Sequence, residues 1–238
     1  MSSSQGMMTS VCDVSSDEFI KSCLPLFDGP TVMITVGEVT HQVPRALLCR
    51  HSPYFLGMFE GKFEETRSCE GVLEEKEGIV SAHSVSMFLH WLYTGHTNLV
   101  GGTAPESISA YIEFARFGDM VGIDNLGSHA AMHIEKIIVN HAPSEHQYAE
   151  RNCYHLSSDH LYQASFLPEG HSVRTILAKA CVENYLSGDD FKFNQEAQDW
   201  PEIGADLLRE LRPVLMEMKY NGAYTEPILN ETRYLQHL

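Results

Sequence analysis

Three places in this sequence combine residue types that could do chemistry. The first is the run LLCRHSPYFLGMFEGKFEE, from Leu47 to Glu65, in which Cys49, His51 and Ser52 lie close together. A thiol or hydroxyl beside an imidazole is the starting material of covalent catalysis. The spacing works against it. Neighbours at i, i+2 and i+3 across two helix ends do not face one another, and no third group stands ready to orient the histidine. The GMFEGKF within the same run resembles a phosphate-binding loop. However, it is one residue short between its glycines, lacks a Ser or Thr after Lys62, and sits inside a helical pattern. The second place is His129 with His133, four apart and so on one helical face, which would make half of a metal site. The third is Cys153, His155 and His160 in an irregular segment. A structural zinc needs four ligands at regular spacing, and neither place supplies them. The expectation is therefore no catalytic residue, no metal and no cofactor. The histidines should be surface or interhelical residues. Trp91, Tyr93, Met216 and Met218 should serve packing rather than line a ligand cage.

The composition narrows the partners. Sixteen Lys and Arg against 32 Asp and Glu give a formal net charge of −16. Such a chain repels phosphate backbones and anionic lipid unless a basic patch exists, and the bases here are scattered. Neither nucleic acid nor membrane is expected as a direct partner. No apolar run is long enough to span a bilayer, and the opening MSSSQGMMTSVCDVSSDEF lacks the charged and apolar regions of a signal peptide. Six dispersed cysteines without C-x-x-C read as reduced thiols, which points to the cytoplasm or nucleus.

Certain elements must position these residues. Residues 1–14 read as a disordered polar lead. Ser15–Phe27 reads as a short helix with Phe19, Ile20, Cys23 and Leu24 on one face, stopped by Pro25 and Asp28-Gly29-Pro30. The β-branched TVMITVG and the following THQV form a hairpin. A helix follows Pro44. Ser52-Pro53 starts another, with Ser as N-cap and Pro at the first helical position. A short strand lies around Val72 and Leu73. Val85, Phe88, Leu89, Leu92 and Tyr93 make one apolar stripe, capped by Ser81 and ended by Gly95. Helices are expected over Pro105–Val121 and Ile123–Asn140. After a lapse at His141–Arg151, they are expected over Ser158–Phe166, around Val173–Cys181, and over Asp206–Met218 with a kink or restart at Pro213. SGDDFKFNQEAQDWPEIG reads as a long polar loop.

From Thr31 to Asn140 the order of elements is similar to a BTB/POZ domain. The residues that carry the resemblance are Leu47-Leu48, Ser52-Pro53-Tyr54-Phe55, Met58-Phe59, and Phe88-Leu89 with Trp91-Leu92-Tyr93-Thr94-Gly95. The tail, with SFLPEGHSVRTILAKACVENYL, resembles the helical extensions of fungal BTB proteins. The fold class implied is α+β: a small β-sheet flanked by an α-helical cluster over residues 15–140, followed by an α-helical extension over 141–238. Leu48, Phe55 and Phe59 should then be core.

The function implied is protein–protein association without catalysis, as a homodimer or heterodimer. The interface would draw on Phe19, Ile20 and Leu24 with the helices near Leu47 and Tyr54. Relatives usually carry an Asp in the first strand and a His-Lys pair after the second, where this chain has Thr31, Pro44 and Arg45. Of that charged patch only Arg45 remains. Phe63-Glu64-Glu65 matches the hydrophobic-any-acid triplet with which many BTB proteins recruit a cullin scaffold. Phe63 would plug a pocket and Glu65 would pair with a donor, making the chain a substrate adaptor for a ubiquitin ligase. The seven acids between Glu60 and Glu77 read mainly as a solvated face.

Overall fold

A computed structural model describes residues 15–99, 101–141, 151–187 and 191–234. The expected polar lead, 1–14, and most of the lapse after His141 lie outside these residues. The chain packs as two units. Of the described residues, one unit holds those before Gly101 together with Phe117–Asp124, and the other holds Gly101–Arg116 and those from Asn125 onward.

The first unit is built on a three-stranded sheet, in the order β2-β1-β3. Strand β1 (Thr31–Val36) alternates exposed and buried residues, as a half-covered strand should. It pairs antiparallel with β2 (Val39–Pro44) through a two-residue turn at Gly37, whose φ of 54° suits glycine. Val32, Ile34 and Val36 point inward. On the outer face Thr35 and Thr40 share a hydrogen bond, and Gln42 donates to Thr31.

The N-terminal residues are helical as expected, but not as one helix. They form a short turn, α1 (Ser16–Glu18), then a π turn over Phe19–Cys23 and a 3₁₀ turn over Leu24–Phe27, and Pro25 falls inside the last instead of ending it. After β2 come α2 (Arg45–His51), α3 (Pro53–Glu60) and α4 (Glu64–Ser68), which return the chain to β3 (Glu70–Leu73), parallel to β1. Gly71 faces inward. A Cβ there would meet Met58 Sδ at 2.7 Å and the Phe59 ring at 3.1 Å, so glycine lets α3 lie on the sheet.

Helix α5 (Ala82–Thr94) has both expected ends. Ser81 and Ser84 form a reciprocal capping box, and Gly95 closes the helix with φ 73°. A row of rings runs through the core: Phe59, Phe55 and Phe88 are stacked and Phe117 is tilted against Phe88, with successive centroids 6.3, 5.8 and 5.4 Å apart. Phe117 comes from the last turns of α6 (Ala104–Val121), a helix divided between the two units.

The second unit takes the first part of α6 with α7 (Asn125–Asn140), α8 (Ser158–Ser165), α9 (Ser172–Ser187), α10 (Asn194–Asp199) and α11 (Pro201–Asn221). Helix α9 is buried on most sides, and Arg174, Glu183 and Asn184 are enclosed with its apolar residues. Arg174 is fully engaged. Its Nε donates to Asp206 at 2.6 Å, and its Nη atoms donate to the carbonyls of Leu167 at 2.9 Å and Glu202 at 3.3 Å. Gly127 admits the His171 ring, which a Cβ would meet at 2.3 Å.

Three expectations about this unit are corrected. The stretch read as one polar loop contains α10 and the start of α11, because Pro201 opens that helix at its first positions. Helix α11 also runs through Pro213 without the restart that was one of the two outcomes expected there. Pro213 is exposed while Leu211 and Val214 on either side are buried, so packing holds the helix across it. Met216, read as a packing residue, is 46% exposed.

A C-terminal hairpin, β4 (Ala223–Thr225) with β5 (Thr232–Tyr234), closes the unit. It buries Tyr224, Glu226 and Ile228, and Arg233 donates to Glu183 at 2.9 Å. Among the described residues no helix is long and apolar enough to cross a membrane.

Candidate functional site

The residues that first suggested chemistry are occupied in holding the fold. Ser52 accepts from the Phe55 N–H at 3.2 Å and donates to the Val121 carbonyl at 2.6 Å, so one hydroxyl caps α3 and ties it to the end of α6. The Cys49 thiol points at the Phe55 carbonyl, 3.6 Å away. Burial, then the charge of Glu60, raises its pKa, with Arg45 opposing, so it stays a thiol rather than a nucleophilic thiolate. His51 meets the edge of Trp91, with centroids 6.0 Å apart, and burial then Arg50 lowers its pKa. The three face different partners.

Sequence reasoning missed one further pairing, Ser109 with His160 at 2.9 Å. It has the elements of a nucleophile and a base, yet it cannot act as one. His160 Nδ1 accepts the Ser157 N–H at 3.1 Å, so the ring proton is on Nε2, which donates toward the Pro105 carbonyl at 3.1 Å. A nitrogen that carries a proton cannot take one from Ser109. Burial lowers the pKa of this imidazole, against the pull of Pro105 and Asp159.

His129 and His133 stand side by side with centroids 4.7 Å apart, and His133 stacks on Tyr111. Among the described residues no group of three or more His, Cys, Asp or Glu could hold a metal ion. An apolar cavity of ≈ 20 Å³ lies among Leu161, Leu177, Cys181, Phe191 and Leu207 of the second unit. That is room for one or two water-sized groups, far below a substrate pocket.

What the first unit offers instead is surface. Phe27 lies between Phe19, at 6.4 Å, and Tyr93 of α5, at 5.8 Å, and fastens the N-terminal turns to the unit. Ile20 and Leu24 are left 58% and 48% exposed, and Tyr54 is 39% exposed. Leu47 is fully buried, which corrects its place in the expected interface. A side chain with no exposed area cannot dock, and Leu47 lies on the buried face of α2. Arg45 is half-buried and reaches Glu60 at 3.6 Å, so it is a paired residue rather than a freely solvated one. Burial raises the Tyr54 pKa, and the nearby Glu65 carboxylate raises it further, so these two predicted residues share a neighbourhood.

Phe63 precedes α4 and is 63% exposed, with Glu64 beside it. Glu65 is half-buried. Val72, on the outer face of the edge strand β3, is 68% exposed and was not foreseen as a surface residue. Its alternation with inward Gly71 and Leu73 is the signal that could have placed it there.

No curated protein matches the chain. Residues 27–128 match the sequence profile of the BTB/POZ domain. The matched span covers the sheet, α2 to α6 and the Phe55–Phe88 core. With its α+β architecture, the matched span 27–128 is a BTB/POZ domain, a fold that generally serves protein–protein interaction.

Proposed function

We propose that the BTB/POZ domain pairs this chain with a second copy or with a related chain, through a surface that includes Phe19, Ile20, Leu24 and Tyr54. The supporting observation is the N-terminal segment. Phe27 anchors it on Tyr93, yet its Ile20 and Leu24 side chains face solvent. A twofold arrangement would bury that surface against its own copy. In this reading the domain occupies residues 15–140 and the extension 141–238. The extension corresponds to the helical tails of fungal BTB proteins, and the protein works inside the cell, in the cytoplasm or nucleus. Sedimentation across a wide concentration range tests the pairing. The wild type should dimerise and the Ile20→Glu, Leu24→Glu variant should not. A wild type that stays monomeric throughout removes the homodimer.

A second reading rests on the exposure of Phe63. An unburied phenylalanine flanked by Glu64 and Glu65 is available to a partner pocket and is not held in the core. The chain would then present substrates to a cullin-type ubiquitin ligase. Purified cullin should bind the wild type, and should bind Phe63→Ala and Glu65→Lys less. Undiminished binding by both variants sinks this reading.

A further inference from the structure

Helix α11 carries apolar side chains beyond the face it buries. Leu207, Leu211 and Val214 are buried in the second unit. Away from that core, Leu208, Leu215, Met216 and Tyr220 are 65%, 50%, 46% and 71% exposed. Arg212 and Lys219 are exposed among them. Leu208, Arg212, Leu215 and Lys219 follow at i, i+4, i+7 and i+11, so they form one stripe along three turns.

The carboxylates between Leu208 and Tyr220 are Glu210 and Glu217, and they lie off this stripe, seven apart on another side. Glu217 is turned to the hairpin, where it accepts from the Thr225 N–H at 3.0 Å and the Thr225 hydroxyl at 3.2 Å. In a chain with 32 acids and 16 bases, the charges on this stripe are bases.

We propose that this stripe binds an acidic amphipathic helix of a partner protein. The apolar residues fix the spacing, since leucines seven apart accept a facing helix with apolar side chains at the same repeat. The bases fix the sign. Two copies pairing in parallel through this same stripe would set Arg212 and Lys219 against bases, and in antiparallel they would set them against leucines, whereas flanking glutamates on a partner would meet them favourably. The surface uses residues of the second unit alone, so it is independent of pairing through the domain.

The experiment uses the full chain and two labelled synthetic helical peptides with leucine at the same heptad repeat. One carries glutamate at the flanking positions, the other lysine. Fluorescence anisotropy should show the acidic peptide binding about tenfold tighter than the basic one, with the preference shrinking as salt rises. Leu208→Glu and Arg212→Glu should each lose about tenfold in affinity. Both positions are exposed, so circular dichroism and the melting temperature should not move. Equal binding of the two peptides, or binding of neither, overturns the proposal. So does acidic binding that survives Arg212→Glu. Self-association abolished by Leu208→Glu would give the stripe to a second copy instead. Binding of acidic phospholipid vesicles without the acidic peptide would give it to a membrane.

Discussion

Replacing Phe55 with alanine tests the packing on which the first unit depends. The ring is fully buried, 6.3 Å from Phe59 and 5.8 Å from Phe88, and nearly parallel to both. Returning a phenylalanine side chain to water forfeits about 1.5–3 kcal/mol. Two lost ring pairs add about 0.5–1.5 kcal/mol each. Little can collapse into the void, because Ser52 pins the start of α3 and Gly71 already brings β3 against Phe59. The expected loss is therefore about 3–5 kcal/mol. Domains of this size are stable by only about 5–15 kcal/mol, so the variant should sit near unfolding. Urea titration followed by fluorescence reads this directly, since Trp91 is buried in the same unit. With a urea dependence of about 1–3 kcal/mol per molar, the midpoint should fall by roughly 2 M. Phe63→Ala, which removes an exposed ring, should stay within about 0.5 kcal/mol of wild type. A Phe55→Ala midpoint no lower than that of Phe63→Ala would refute the reasoning.

Ser52→Ala should destabilise the first unit by about 1–2 kcal/mol in the same titration, because it removes a helix cap and leaves the buried Val121 carbonyl without its donor. Arg174→Leu should lower the second unit's stability by about 3 kcal/mol or more, read through Trp200, since Asp206 and two carbonyls lose a buried donor. The pH dependence follows from His160. Its folded-state pKa lies below the ordinary histidine value, so below that value the unfolded chain takes up a proton that the folded chain refuses. His160 thus contributes stability above about pH 6.5, and this is lost as pH falls through the folded pKa. His160→Gln should flatten that decline in acid melting curves, and an unchanged slope would count against it.

Much of the first unit was legible because short-range chemistry decided it. Ser52-Pro53 and the Ser81 and Gly95 ends satisfy helix termini locally, and β-branched Thr31–Val36 can hardly be anything but a strand. Burial of Leu48, Phe55 and Phe59 followed from spacing. The parallel pairing of β3 with β1 did not, because a four-residue strand has no register of its own until α3 settles on Gly71. The three-residue strands of the C-terminal hairpin were too short to show a period. That the helix continues through Pro213 was not legible, because propensity counts the missing N–H but not the buried neighbours that hold the helix. Leu47 was misplaced because amphipathicity identifies an apolar residue without saying whether core or partner covers it. For the same reason the exposure of Phe63, on which the cullin reading rests, could not be known beforehand.

Helix α6 has a practical consequence for anyone who wishes to cut this protein in two. Phe117 and Val121 complete the interior of one body, while Ile108 and Ile112, a few turns earlier on the same rod, are buried with the other. A gene fragment that stops at residue 128, where the family match ends, keeps the first pair but removes most of α7 and all of α8, whose His160 bonds to Ser109 and Pro105 beside the second pair. One that stops at residue 100 takes the Phe117 ring from Phe88. Neither severed half inherits a finished interior, so insolubility of such fragments would reflect where the knife fell rather than any weakness of the domain itself.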